Sequence, residues 1–587
     1  MNRKLSYAML SFVFFATLMM NCISCKTENK RGNTVTIRLA GEPERLNPVT
    51  TEESNATQIM SHIFMPLLDF DPKTLELTPV LAKNRPLVVN IDTGAFQGNL
   101  GYVYEIKDEA TWDNGKPITA SDYIFTMKTI LNKKVGASDF RSTLDFVSDI
   151  IPDATNPKKF TIVANKRYIL SEAASGNILI LPEYVYDTEG VMKKISVADL
   201  AKTMKDTTAK PYDAELSKFA TAFQTPKFQR EKGSVVGCGA YSLESWTAGQ
   251  SIVLTKKSNW WGEKLASQNL LFSASPDQLI FKPVKDNATV SSLIQNGELD
   301  AVQSIGAKDF NAMKKDEKLA ANYSFESVPA LSVVYIGLNC KDPKLSDKRV
   351  RKALSNLIDI PTAIKTLVGG YGEACNSPFI PQRDYYNKDI KGATLNPEKA
   401  KQMLTDAGWT DTNGDSTIDK SIDGSRKEMV LRYIFASSNE PAKNLGLIIQ
   451  DQAKKIGVKI ELVSLEAKTM LESMKKRDFD MFISAASYPP SIDDPKQFWA
   501  SSSNTPDGGN RFQFENSEAD GLIEQIRGEL NPDKRRAFYL QFQELLDREQ
   551  PAIFLLARQE RIAVNKRFDA PLVARRPGYL VNGFKIK

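Results

Sequence analysis

The sequence predicts an α/β protein of mixed sheets flanked by helices, divided among two to four domains. Three observations predict it. Residues 429–436, 440–456, 458–463, 467–476 and 479–485 read as β-α-β-α-β, the alternation of a mostly parallel sheet covered by helices. Residues 102–131 read as a strand, a turn and a helix. The length of 587 residues exceeds what one core supports, and 42% hydrophobic with 25% charged content is that of an ordinary soluble globular chain.

The elements follow in chain order. Arg3 and Lys4 precede an apolar run from Ala8 to Met20, the layout of a secretion signal and too short for a comfortable membrane span. Ser24 before Cys25 gives a lipidation site, so residues 1–24 are a lipoprotein signal peptide and 25–33 a polar lipid tether. Cleavage before Cys22 and a plain signal peptide are the alternatives. Residues 34–40 form a strand and 55–64 a helix. In the strand from Tyr102, Tyr104 and Ile106 share a face with it, opposite Val103, Glu105 and Lys107. Trp112-Asp113-Asn114-Gly115 turns the chain. Thr119 and Asp122 then make a capping box for a helix that buries Ile124, Met127, Ile130 and Leu131. Residues 160–165 are a strand, whereas 206–228 read as polar and irregular. Residues 278–283, 287–295 and 299–302 are strand, helix and strand, and 333–339 a strand. Ser346-Asp347 can cap the next helix, and Asn396-Pro397 opens another that Gly408 can end. Residues 533–549 form an amphipathic helix before a closing strand.

The wording of these segments is more specific than their periodicity. Trp112, Gly115, Lys116, Pro117, Thr119, Ala120, Asp122, Phe125 and Thr126 match a motif close to W-S-D-G-K-P-V-T-A-E-D-V-x-F-T. Gly41-Glu42-Pro43 through Leu46-Asn47-Pro48, Gly237-Cys238-Gly239-Ala240-Tyr241, Gly297-Glu298-Leu299-Asp300, Arg349 through Leu354, and residues 396–409 follow in the same order. Together they resemble the family 5 extracellular solute-binding proteins, the oligopeptide- and dipeptide-binding receptors of bacterial ABC importers. The resemblance covers nearly the whole mature chain. It implies a two-lobed periplasmic-binding-protein-like fold, type II and cluster C-like, with an extra inserted domain. Lobe I would comprise 34–80, 230–327 and 549–587, the inserted second domain 81–229, and lobe II 328–548. It implies a monomer tethered by lipid to the periplasmic or extracellular face of a bacterial membrane. The receptor would hand a peptide to a permease driven by a separate ATPase, without catalysis. A non-peptide small molecule on the same fold, or a secreted hydrolase, is the alternative.

The residues exclude much else. The formal charge is +6, or +4 without Arg3 and Lys4, and no dense basic face interleaved with aromatics suggests nucleic acid. His62 is the single histidine, which removes His-centred triads and most transition-metal sites, and no cofactor motif is present. Cys238, between two glycines, is the one thiol placed like a nucleophile, with no partner base. Cys340 and Cys375 are the pair to test for a disulfide. Asp411 to Asp419 alternates oxygen side chains as a calcium loop does. Ser416 and Ile422 break that pattern, and a hairpin is the simpler reading.

The resemblance places ligand contacts at Glu52, Glu53 and Ser54 in lobe I and at Ser487, Tyr488, Pro489, Pro490 and Ser491 in lobe II. Ser491 stands where peptide-binding members carry the Asp that meets the ligand's α-ammonium, so Asp493 or Asp494 would have to substitute. Pro489 and Pro490 have no N–H to offer a peptide backbone. These departures lead to the expectation that peptide specificity is altered or lost.

Overall fold

Eleven strands among the described residues join into one sheet: β1 (Thr34–Leu39), β2 (Tyr241–Thr247), β3 (Ser251–Lys256), β4 (Gln278–Pro283), β5 (Ala301–Val302), β6 (Tyr323–Leu338), β7 (Gly372–Ala374), β8 (Val430–Ala436), β9 (Lys459–Leu465), β10 (Met481–Ser487) and β11 (Ala552–Asn565). This is a computed structural model, and it describes residues 32–205, 212–392, 394–506 and 508–587. The signal segment and the lipidation site at Cys25 lie outside the described residues. No described helix is long and apolar enough to cross a membrane.

The strand order is β9-β8-β10-β6-β11-β5-β1-β4-β3-β2, with β7 added on β11. One half holds β1 to β5, and the other holds β8 to β10. The long antiparallel strands β6 and β11 run through both. Their pairing is interrupted where Pro329↔Gln559 gives way to Val333↔Ala557. Pro329 has no N–H to keep the ladder going, and Leu331 sits at φ +42°. The sheet is therefore weakest midway between the halves.

The expected strand at 333–339 proves to be the second part of β6. Tyr323, Phe325 and Val328 are buried and Glu326 exposed, so an alternating pattern was present, but Ser327 and Pro329 disguise it. Residues 206–228 are not all irregular either. Asp213–Phe223 is a helix burying Leu216, Phe219, Ala220 and Phe223 on one stripe.

A separate four-stranded antiparallel sheet (Leu87–Asn90, Leu100–Glu105, Lys159–Ala164, Val147–Pro152) packs with the first half. Helix Ala120–Leu131 covers it. Its N-terminus is closed by Asp122, whose Oδ2 accepts from the Thr119 N–H at 3.0 Å. In the second half, Val334, Ile336 and Leu338 of β6 face one helical layer, while Val333 and Tyr335 face the other.

Several motif residues turn out to be structural. Helix Ser54–Ile63 ends against Gly237 and Gly239. A Cβ there would lie 2.3 Å from the Ile63 carbonyl oxygen and 2.5 Å from that of His62, so only glycine fits. Asp300 is buried, accepts from the Thr36 N–H at 2.8 Å and pairs with Arg567 at 2.9 Å, tying β1 to the chain's end. Arg351 donates to the carbonyls of Leu345, Ser346, Glu549 and Gln550.

The disulfide between Cys340 and Cys375 does not form. All three described cysteines are free, and each of these two thiols faces carbonyls of its own neighbourhood: Leu338 for Cys340, Ser377 and Phe379 for Cys375. The calcium-like loop is a hairpin. Asp411 accepts from the amides of Gly414 and Ser416, Asp415 from that of Thr417, and Asp419 from the Thr412 amide and hydroxyl.

Candidate functional site

Each half contributes parallel strands whose C-terminal ends point at the interrupted middle of β6 and β11. In the first half β4 and β5 flank β1 in parallel, and β5 runs against β11 toward that middle. In the second, β8 is parallel to both β9 and β10, and β10 runs against β6 to end at Ser487, opposite Ser332. Ligands of open α/β sheets bind beyond the carboxyl ends of parallel strands. Two such edges here face each other across one hinge.

On the second edge the chain leaves β10 and makes the loop 488–495. A single buried arginine holds it. Arg383 donates to the carbonyls of Pro489 (2.7 Å), Pro490 (2.8 Å) and Ser491 (2.6 Å), and grips the Asp493 carboxylate through Nε and Nη2, each at 3.1 Å. Tyr385 donates to Asp493 Oδ2 at 2.7 Å, and Tyr539 donates to the Asp493 carbonyl while stacking on Tyr385 at 4.0 Å. Burial raises the Asp493 carboxyl above its usual range, and Arg383 pulls it back. Tyr488 is fixed at both ends, its N–H to Leu331 O at 2.8 Å and its hydroxyl to Pro378 O. Ser487 and Pro489 stay exposed, and Ser491 is half-buried.

Asp494, the next residue, faces elsewhere. Its Oδ2 accepts from Arg527 Nε at 2.9 Å and from the Tyr168 hydroxyl at 3.1 Å. Arg527 also lies over the Tyr168 ring at 5.1 Å and accepts through its carbonyl from the Ile169 N–H. Tyr168 follows the four-stranded sheet, so this cluster bridges the two halves. Ile169 and Leu75 bury themselves in the second half's core beside it.

On the first edge, Glu52, Glu53 and Ser54 are all exposed at the start of helix Ser54–Ile63, and Glu53 accepts from Asn55 Nδ2 at 2.6 Å. Surrounding protein and then Asp139 raise the Glu52 carboxyl above its ordinary value. No hydrogen bond or ion pair among the described residues joins these three to Ser487–Ser491; the bridge is the Tyr168 cluster. Behind them Arg38, 4% exposed, donates to Val284 O and Gln303 O, with no carboxylate in ion-pair range among the described residues. Gln303 Oε1, and Ser332 Oγ at the hinge, are buried without a protein partner.

The thiol and the imidazole are poorly suited to chemistry. Burial pushes Cys238 up to about 12, so it stays a neutral thiol beneath Trp260 and Trp261, which both donate to its carbonyl. Burial, with Arg575 adding to it, pushes His62 down to about 4, leaving a neutral ring packed against Tyr241 and Phe281. Among the described residues no three His, Cys, Asp or Glu side chains converge as metal ligands would.

Sequence reasoning found the loop but not its supports. Arg383, Tyr385 and Tyr539 lie far from it in the chain, and no local pattern links them to Asp493. Tyr168 and Arg527 were missed for the same reason.

Comparison with known proteins agrees with this architecture. Oligopeptide-binding protein AppA of Bacillus subtilis (strain 168) is 25% identical over 592 residues, covering 97% of this chain and 96% of that protein. Its structure in complex with a nonapeptide superposes with a TM-score of 0.63 at 23% identity, covering 94% of this chain and 99% of that one. Heme-binding protein A of Haemophilus influenzae is 27% identical over 353 residues, 60% of this chain and 58% of that protein. The profile described as bacterial extracellular solute-binding proteins, family 5 Middle, matches residues 76–509. That span covers most of the chain, and the chain belongs to the bacterial extracellular solute-binding proteins, family 5.

Proposed function

We propose that the protein captures a peptide in the cleft between its halves and delivers it to the permease of an ABC importer powered by a separate ATPase, doing no chemistry itself. The observation that carries the reading is the pair of parallel-strand edges facing each other across the interrupted β6–β11 ladder, a geometry that encloses a solute by hinge bending. The whole-length similarity to an oligopeptide-binding protein supports a peptide as the solute. In this reading lobe I is 34–80, 230–327 and 549–587, the inserted domain 81–229 and lobe II 328–548. A lipid on Cys25 holds a monomer at the outer side of the membrane.

Glu52, Glu53 and Ser54 would meet the ligand from one side, and Ser487, Tyr488, Pro489 and Ser491 from the other. Asp493, already held by Arg383, would shape the loop instead of touching the solute. One observation favours a second reading, a non-peptide solute. Pro489 and Pro490 lack N–H groups, and their carbonyls are occupied by Arg383, so this stretch cannot pair with an extended backbone. The similarity to a heme-binding protein is compatible with that.

Native mass spectrometry of freshly purified protein tests both. A ladder of short-peptide masses supports the first reading, and one non-peptide mass supports the second. Protein that is empty and gains no thermal midpoint from a mixed peptide library sinks the peptide reading.

A further inference from the structure

Beside the interrupted β6–β11 ladder a cavity of about 450 Å³ opens where four segments meet, Pro441 at the start of helix Glu440–Lys454 being one of them. Helix Ala307–Lys315 gives Lys308 and Asn311, helix Ile360–Val368 gives Lys365, and β11 gives Arg558 and Arg561. The first helix follows β5 and belongs to the first half. The second packs in the core of the other half, so the cavity straddles both. The halves touch at its edge. Gly369 ends helix Ile360–Val368 at φ +65°, and a Cβ on it would lie 2.5 Å from that of Ala307.

The charge of this cavity is one-sided. Its lining holds four cationic side chains and no carboxylate. Among the described residues none of these four is in an ion pair; other arginines without one, such as Arg38, Arg141 and Arg535, donate to backbone carbonyls instead. Arg561 is oriented by a bond from Nε to Ile305 O at 2.6 Å and by the Tyr371 ring at 5.3 Å, which leaves its remaining donors for the cavity. Burial lowers its guanidinium pKa, Glu560 counters that, and the nearby Arg558 lowers it further. Helix Ala307–Lys315 starts at Gly306 without a side-chain cap hydrogen bond, and the Asp309 carboxylate of its first turn lies near that start. Four like charges held around one concavity repel each other, which Glu560 offsets in part at Arg561 and a bound anion would offset further.

We propose that this cavity binds a small multivalent oxyanion of the phosphate or tricarboxylate class, bridging the two halves beside the hinge. The proposal is independent of what fills the main cleft. The test is thermal-shift and calorimetric titration of the full-length protein with pyrophosphate and with citrate, against sodium chloride at matched ionic strength. The expected result is saturable binding of at least one oxyanion. Lys365→Gln with Arg558→Gln should weaken it at least about tenfold, since each charged contact counts for about that factor. Both side chains are exposed, so the variant should keep the parent's melting temperature in anion-free buffer. Absence of saturable binding by both oxyanions overturns the proposal, as does binding that the double substitution leaves unchanged.

Discussion

Two buried arginines stand at the two edges of the cleft, and they are treated differently. Arg383 in the second lobe is matched by a buried carboxylate, two tyrosines and three carbonyls, so the loop it holds has one arrangement. Arg38 in the first lobe has carbonyls for partners, with Glu560 and Tyr579 acting on it only from a distance. Beside it Gln303 keeps a buried oxygen unsatisfied. A closed, satisfied polar network specifies geometry, while an incomplete one leaves capacity for water or for a solute's polar groups. The comparison suggests a rigid second edge and a more adaptable first one.

The sharpest way to break that contrast is to remove each arginine. Arg383→Ala leaves Asp493 buried and unpaired and should cost about 3–5 kcal/mol in urea denaturation. Arg38→Met strands no carboxylate and should cost clearly less, about 1–3 kcal/mol. Equal losses would mean that the two edges are equivalent.

Acid should find the first edge. His62 has a folded pKa of about 4 against an ordinary 6.5, so the unfolded chain takes up the proton first. The stability this neutral ring confers is complete above pH 6.5 and declines as pH falls toward 4, by about 3 kcal/mol in all. A His62→Gln variant should show a correspondingly flatter stability profile across that window when melts are run from pH 7 to 4.

Smaller effects separate loop geometry from lobe closure. Tyr168→Phe removes one hydrogen bond to Asp494 between the halves and should shift the balance toward open forms by about 1 kcal/mol, read as a larger radius of gyration in small-angle scattering. Melting behaviour should barely change. Gln303→Met removes the unsatisfied oxygen along with a 3.1 Å bond to Gln58, so its net effect on stability should stay within about 1 kcal/mol.

Much of the architecture could be read from local pattern. Helices 287–295 and 467–476 and strand 278–283 match the structure to the residue, because their periodicity is local. The capping box at Thr119 and the buried triad Tyr102, Tyr104 and Ile106 are of the same kind. What stayed hidden depends on distant partners. Nothing near Asp493-Asp494 says that one carboxylate faces Arg383, 110 positions away, and the other Tyr168, 326 positions away. The glycines around Cys238 resembled a nucleophile turn in sequence, whereas their reason is the close approach of a helix end.

The position of β11 has a consequence for how the molecule comes into being. Among the described residues it lies between β5 and β6 and carries β7 as well, yet it is the last of the eleven strands to be synthesised. Until residues 552–565 exist, the blocks β9-β8-β10-β6 and β5-β1-β4-β3-β2 have no strand joining them, and β5 and β6 each present an unpaired edge. A nascent chain therefore cannot join its halves or cover those two edges until its last long strand is made. Truncation just before residue 552 should yield an aggregation-prone, protease-sensitive product in which both halves fail together.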